Sequence, residues 1–242
     1  MKLLKADIPK CKLDAMPGNE AVLFVQLTHM LNELNILQKC LIVTNSRMTS
    51  LSGVERRGQV CQGLFFIRTL AAKLNEAWEM LQRDFFNSRL SGKFEKKLSK
   101  LGRDALWELK RYFGRKNNIR LIRNKFAAHY SKLEIEKEIN GIPDNETLEM
   151  FISEHRGNCL YSFSDKVFSW AILNSIAPSH PLRAMNTLMG DVLRVSRWFQ
   201  DFGGDCVCII GKKTGLVYEE AEISQPPLLS SVVLPYFVER TE

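Results

Sequence analysis

Asn19-Glu20-Ala21-Val22-Leu23-Phe24-Val25-Gln26-Leu27-Thr28-His29-Met30-Leu31-Asn32-Glu33-Leu34-Asn35-Ile36-Leu37-Gln38-Lys39-Cys40-Leu41 decides the fold class. Leu23, Leu27, Met30, Leu34, Leu37 and Leu41 recur at alternating steps of four and three. That cadence places one apolar stripe along a helix opening near Asn19. Residues 44–53, rich in Ser, Thr and Asn, read as a loop. Val60, Leu64, Ile67, Ala71, Leu74, Trp78, Leu81 and Phe85 then repeat the same spacing. Two long helices joined by a short polar loop are expected to pack antiparallel.

Further along, residues 88–92 break the pattern. A third helix would turn Phe94, Leu98, Leu101, Ala105 and Leu109 inward and its lysines outward, and would stop at Gly114. Asn117 or Asn118 can cap a fourth helix, with Ile119, Ile122 and Phe126 as its buried stripe. Residues 148–153 and 158–163 could form a small hairpin, with a helical first arm as the alternative. Ser164 or Asp165 would cap a helix to about Ala177, and another would begin at Pro181. Its stripe is Met185, Leu188, Val192, Val195, Phe199 and Phe202, and Gly203-Gly204 would close it. The expected architecture is mainly α: a helical bundle over residues 1–203 and a β-hairpin-like tail over 204–242. Runs at 207–210 and 216–218 would form the arms of that hairpin.

Apolar residues make up 45% of the 242-residue chain and charged residues 25%, ordinary for a globular protein. Nothing approaches a spanning hydrophobic segment, and the first ten residues lack a secretory pattern. Six cysteines without a framework suit a reducing cytoplasm. Cys206 and Cys208 would share a strand face but have no second pair for zinc, so no metal and no cofactor are expected. Formal charge is +7, concentrated between Lys93 and Lys125, where twelve basic residues face three acidic ones. Such a focus suggests a polyanion partner; charge runs are usually a solvated helix face, and what favours the partner here is adjacency to the motif that follows.

That basic stretch runs into Ile122-Arg123-Asn124-Lys125-Phe126-Ala127-Ala128-His129-Tyr130. Histidine moves protons near neutral pH, and arginine grips phosphate oxygens in pairs. On an α-helix, Arg123 and His129 point roughly 120° apart, whereas Tyr130 returns to the azimuth of Arg123. A cleft between two copies of the helix suits this spacing better than one helix alone. The alternative from spacing is a helix-end histidine beside an exposed arginine. Asp201-Phe202-Gly203 and Gly211-Lys212-Lys213-Thr214 lack the companions of a kinase or phosphate-loop motif.

The run from Ile122 to His129 resembles the R-x(4–6)-H signature of the HEPN superfamily. Its Arg-Asn-Lys followed by Ala-His is similar to the abortive-infection, phage-defence branch. At the level of helix pattern the likeness covers roughly residues 19–131. The resemblance implies a HEPN-like helical bundle that dimerises through its motif helices and cleaves RNA without a metal. It implies catalytic roles for Arg123 and His129, with Asn124 in support. Lys110, Arg111, Arg115, Lys116, Arg120, Lys125 and Tyr130 would contact the RNA. A toxin–antitoxin or phage-defence setting, with an antitoxin protein as partner, goes with that branch. A non-catalytic HEPN-like module binding RNA, a nucleotide or a protein is the second reading. Binding to duplex DNA through the basic third helix is the third.

Overall fold

The long stripes become long helices. The computed structural model describes residues 3–46, 51, 53–127, 131–222 and 224–239. Among them run nine α-helices: α1 (Lys10–Asp14), α2 (Gly18–Ser46), α3 (Gly53–Met80), α4 (Leu90–Phe94), α5 (Lys100–Phe113), α6 (Asn118–Ile122), α7 (Lys132–Asn140), α8 (Ser162–Ile176) and α9 (Pro181–Lys213). Two short strands, β1 (Leu3–Lys5) and β2 (Glu219–Ala221), pair antiparallel with Leu3 opposite Ala221. The fold is therefore mainly α with one small sheet, as the sequence predicts, but that sheet pairs β2 with the N-terminal β1 and not with a second arm of the tail, and residues 216–218 are not a strand. No helix among the described residues is long and apolar enough to cross a membrane.

Antiparallel pairing of α2 with α3 shows in its polar contacts. Gln59 Nε2 donates to the Thr44 carbonyl at 3.1 Å, Lys73 meets Glu33, and Gln26 Nε2 donates to Asp84 just past α3 at 2.8 Å. Rising numbers on one helix meet falling numbers on the other. Helix α2 continues to Ser46, past the start of the loop expected at residue 44.

The chain divides into two units. The first comprises Met1–Asn35, Lys73–Lys116 and Arg194–Leu228. Leu23, Leu27, Leu34, Leu74, Leu81 and Leu109 are fully buried there. Phe85 meets Phe202 edge-on at 5.5 Å, and Trp78 stacks on Phe113 at 4.9 Å. Glu20 is buried, and Lys93 and Lys213 from α4 and α9 neutralise it, as a carboxylate out of water requires.

The second unit comprises Ile36–Ala72, Asn117–Leu193 and Leu229–Glu242. Its interior gathers Leu41, Ile67, Leu70, Ile119, Ile122, Phe126, Ile172 and Leu188. The expected hairpin contracts to one bridge, in which Phe151 and Leu160 exchange backbone hydrogen bonds at 2.7 and 2.8 Å. Tyr236 and Val238 dock onto this unit. Tyr236 Oη donates to the Cys159 carbonyl at 2.8 Å, and Asn158 makes two hydrogen bonds with the Val238 backbone. Tyr236 also packs closely on α3, where a Cβ on Gly58 would come within 2.8 Å of its side chain. An interior helical glycine costs about 1 kcal/mol against alanine, and here close approach of the tail requires it. Gly58→Val should raise amide exchange across residues 233–238 while leaving the protection of α8 unchanged.

Four expectations need correction. Helix α9 does not stop at Gly203-Gly204 but runs to Lys213, so the arm expected at 207–210 is helical. The apolar stripe continues past the glycines through Cys206 and Ile210, and Gly203 fits because its missing Cβ leaves room for Leu31 at 3.2 Å. Packing outweighs the weak propensity of glycine. Cys206 and Cys208 thus leave different sides of a helix, one buried and one exposed. Burial pushes the Cys206 thiol well above the ordinary thiol range. Leu101, expected inside, is 57% exposed, because Ser99 starts α5 afresh with its hydroxyl accepting from Gly102 N at 3.1 Å. The register thereby turns Leu106 and Leu109 inward. Finally, α8 begins at Ser162, ahead of the caps expected at Ser164 or Asp165.

Candidate functional site

The motif begins on a well-anchored helix. Asn117 caps α6 by accepting from Arg120 N at 2.9 Å, leaving the β-region conformation typical of an N-cap. Asn118 Nδ2 donates to Asp191 at 2.8 Å. Ile119 and Ile122 are fully buried, so the start of the motif is fixed by both packing and capping. Asn117 as cap and the Ile119, Ile122 and Phe126 stripe agree with the sequence reading.

From Arg123 to Ala127 the winding widens into a π-helical turn. Phe126 remains buried and ties this turn to the interior. Bonding from i to i+5 replaces the α spacing within this stretch, so the azimuths expected from α geometry no longer apply across it. A second π turn at Leu81–Phe86 buries Leu81 and Phe85, so such winding here also serves plain packing.

Arg123 is half-buried and Asn124 exposed. Arg123 Nη1 donates to Asn124 Oδ1 at 3.3 Å, which brings the guanidinium and the amide together. Lys125 points to Glu134 on α7 and forms an ion pair with it. Ala128, His129 and Tyr130 lie outside the described residues. The structure thus brings together Arg123 and Asn124 of the expected catalytic set.

The expected RNA-contacting cations fall in both units. Lys110, Arg111, Arg115 and Lys116 belong to the first, Arg120 and Lys125 to the second. On the outer face of α5, Lys110 pairs with Glu95 at 2.9 Å and stands over the Phe86 ring at 5.0 Å. Arg111 pairs with Glu108 at 2.6 Å and covers the exposed Trp107 at 4.8 Å. Arg115 and Lys116 are exposed beyond the helix end at Gly114. Glu20 and Glu134, from outside the basic segment, offset Lys93 and Lys125. The positive potential is therefore weaker than the segment's own count implies.

A second concave feature has no counterpart in the sequence reading. In the second unit, α3, residues 147–149, α8 and the start of α9 enclose a cavity of about 420 Å³. Its residues come from four separated stretches of chain, so no local motif could announce it. Beside it, the Cys61 thiol donates to Asp165 at 2.9 Å. Burial first, then the Asp165 carboxylate, push that thiol up to about 12. A raised folded-state pKa adds stability that is complete below the ordinary thiol range and lost as pH rises toward the shifted value. With little thiolate at pH 8, Cys61 and Cys206 should react with iodoacetamide much more slowly than the exposed Cys11 and Cys208. Asp165→Asn should speed Cys61 alone, read by peptide mass spectrometry. Equal labelling of Cys61 and Cys11 would contradict this geometry.

The chain matches no family model, no curated protein and no solved structure.

Proposed function

We propose that this protein is a metal-independent endoribonuclease of HEPN type, acting as a homodimer in a phage-defence or toxin–antitoxin setting. The observation that carries the reading is the Arg123–Asn124 pair, held on a capped helix and hydrogen-bonded side chain to side chain. Guanidinium is the side-chain group whose planar fork matches a phosphate. The motif spacing, and its resemblance to the family signature, supply the histidine.

In the proposed reaction the ribose 2′-hydroxyl attacks the adjoining phosphorus. The P–O5′ bond breaks, leaving a 2′,3′-cyclic phosphate and a 5′-hydroxyl. His129 transfers the proton between attacking and leaving oxygens, and Arg123 stabilises charge on the pentavalent transition state. Asn124 orients Arg123 through their hydrogen bond. The cations of α5 and those around Arg120 form separate contact points for the strand. Needing the 2′-hydroxyl, the reaction cuts RNA and leaves DNA intact.

The test is cleavage of mixed RNA by purified protein in excess EDTA, with DNA of the same sequence as control. RNA cut to cyclic phosphate ends is the expected result; no turnover, or DNA cut equally well, would overturn it. The second reading, a non-catalytic module of the same fold, draws on the ion pairs that already engage Lys110, Arg111 and Lys125. Salt-dependent RNA binding without cleavage would favour that reading.

A further inference from the structure

The cavity of the second unit has a largely apolar wall built from Val60, Leu64, Phe163, Trp170, Leu173 and Met185. At about 420 Å³ it falls within the range of small-molecule sites. Its charged lining consists of three cations, Arg56, Arg57 and Lys166, and two carboxylates, Glu149 and Asp165. Most of these groups are already engaged. Arg57 pairs with Glu149, Lys166 pairs with Glu146, and Asp165 accepts from the Cys61 thiol. Arg56 differs. Its Nε donates to the Leu51 carbonyl at 3.0 Å, and its terminal nitrogens meet no carboxylate among the described residues.

We propose that this cavity binds a small carboxylate whose apolar body fills the pocket and whose head meets Arg56. Burying the body removes apolar surface from water, while the guanidinium offers the planar, two-point grip that a carboxylate fits. The same lining argues against a nucleobase. Lys166 covers a face of Trp170 at 4.9 Å, so that face does not offer a free stacking platform. Two of the lining hydroxyls, those of Ser162 and Ser169, already donate to the Glu149 and Asp165 carbonyls. The inference is independent of the nuclease reading.

The experiment is calorimetric titration of the full chain with decanoate and 2-naphthoate, each beside its neutral counterpart, decanol and 2-naphthol. At least one acid should saturate a single site per chain, at least tenfold more tightly than its alcohol. Arg56→Gln, at an exposed position, should erase that preference. Val60→Trp fills the cavity from a position that is 38% exposed, and should weaken the acid at least tenfold with helicity unchanged. If Val60→Trp does not fold, the Arg56→Gln comparison decides alone. Absence of binding by both acids, equal binding of acid and alcohol, or a preference surviving Arg56→Gln would overturn the proposal. Tighter binding of uridine monophosphate than of either acid would overturn it in favour of a nucleotide.

Discussion

On the proposed mechanism, His129→Ala should lower the rate of RNA cleavage in excess EDTA by about 10²–10⁴-fold, the contribution of a positioned proton-transfer group. Arg123→Ala should lower it by about 10²–10³-fold, the loss of one fixed donor to the transition state. The double variant should be scarcely slower than the worse single one, because the two groups act on one transition state and their effects are not additive. Arg123→Lys should recover little, since an ammonium keeps the charge but loses the paired, planar donation. Asn124→Ala should cost less than either, as its side chain reaches the chemistry through the 3.3 Å hydrogen bond from Arg123. A proton-transferring imidazole should give a pH–rate profile with a limb that disappears in His129→Ala. Wild-type rates in either Arg123→Ala or His129→Ala would remove the nuclease reading. Circular dichroism of each variant separates lost chemistry from lost fold, and Phe126, which anchors the turn, is left untouched.

Which parts of this protein were legible from sequence follows from how local the physics is. The stripes of α2 and α3 stand out because every third or fourth residue must face the same interior, and Leu23, Leu27, Leu34, Leu74 and Leu81 do so. Asn117 was legible as a cap for the same local reason. The Gly203-Gly204 step misled because propensity speaks for a stop while the stripe through Phe199, Phe202, Cys206 and Ile210 speaks for continuation. The stripe wins because packing contributes more than two glycines cost. Leu101 misled by a register shift, since the new cap at Ser99 resets which positions face inward. Pairing of β1 with β2 joins residues more than 200 positions apart, and no pattern in either three-residue strand announces its mate. At the site, the presence of Arg123 and Asn124 together was readable, but the π turn was not. It depends on how Phe126 is held, which is a tertiary matter.

Phe85→Ala should destabilise the first unit by about 3–5 kcal/mol, the usual range for an aromatic truncated in a core. Phe85 is fully buried and meets Phe86, Phe94 and Phe202 edge-on at 5.3, 6.2 and 5.5 Å. Those rings come from the π turn itself, from α4 and from α9, so removing one ring loosens three elements at once. The edge-to-face pairs add to the loss beyond buried area, because each places a positive ring edge against a negative face. For a chain of this length the melting temperature should fall by about 6–20 °C. Leu101→Ala provides the contrast, since its side chain is 57% exposed and its loss should stay within about 0.5 kcal/mol. The pair discriminates between two registers of α5: were Leu101 a core residue, both variants would melt early. A shift in Phe85→Ala as small as that expected for Leu101→Ala would show that the interior is not organised around Phe85. A large shift in the first and almost none in the second is what the packing requires.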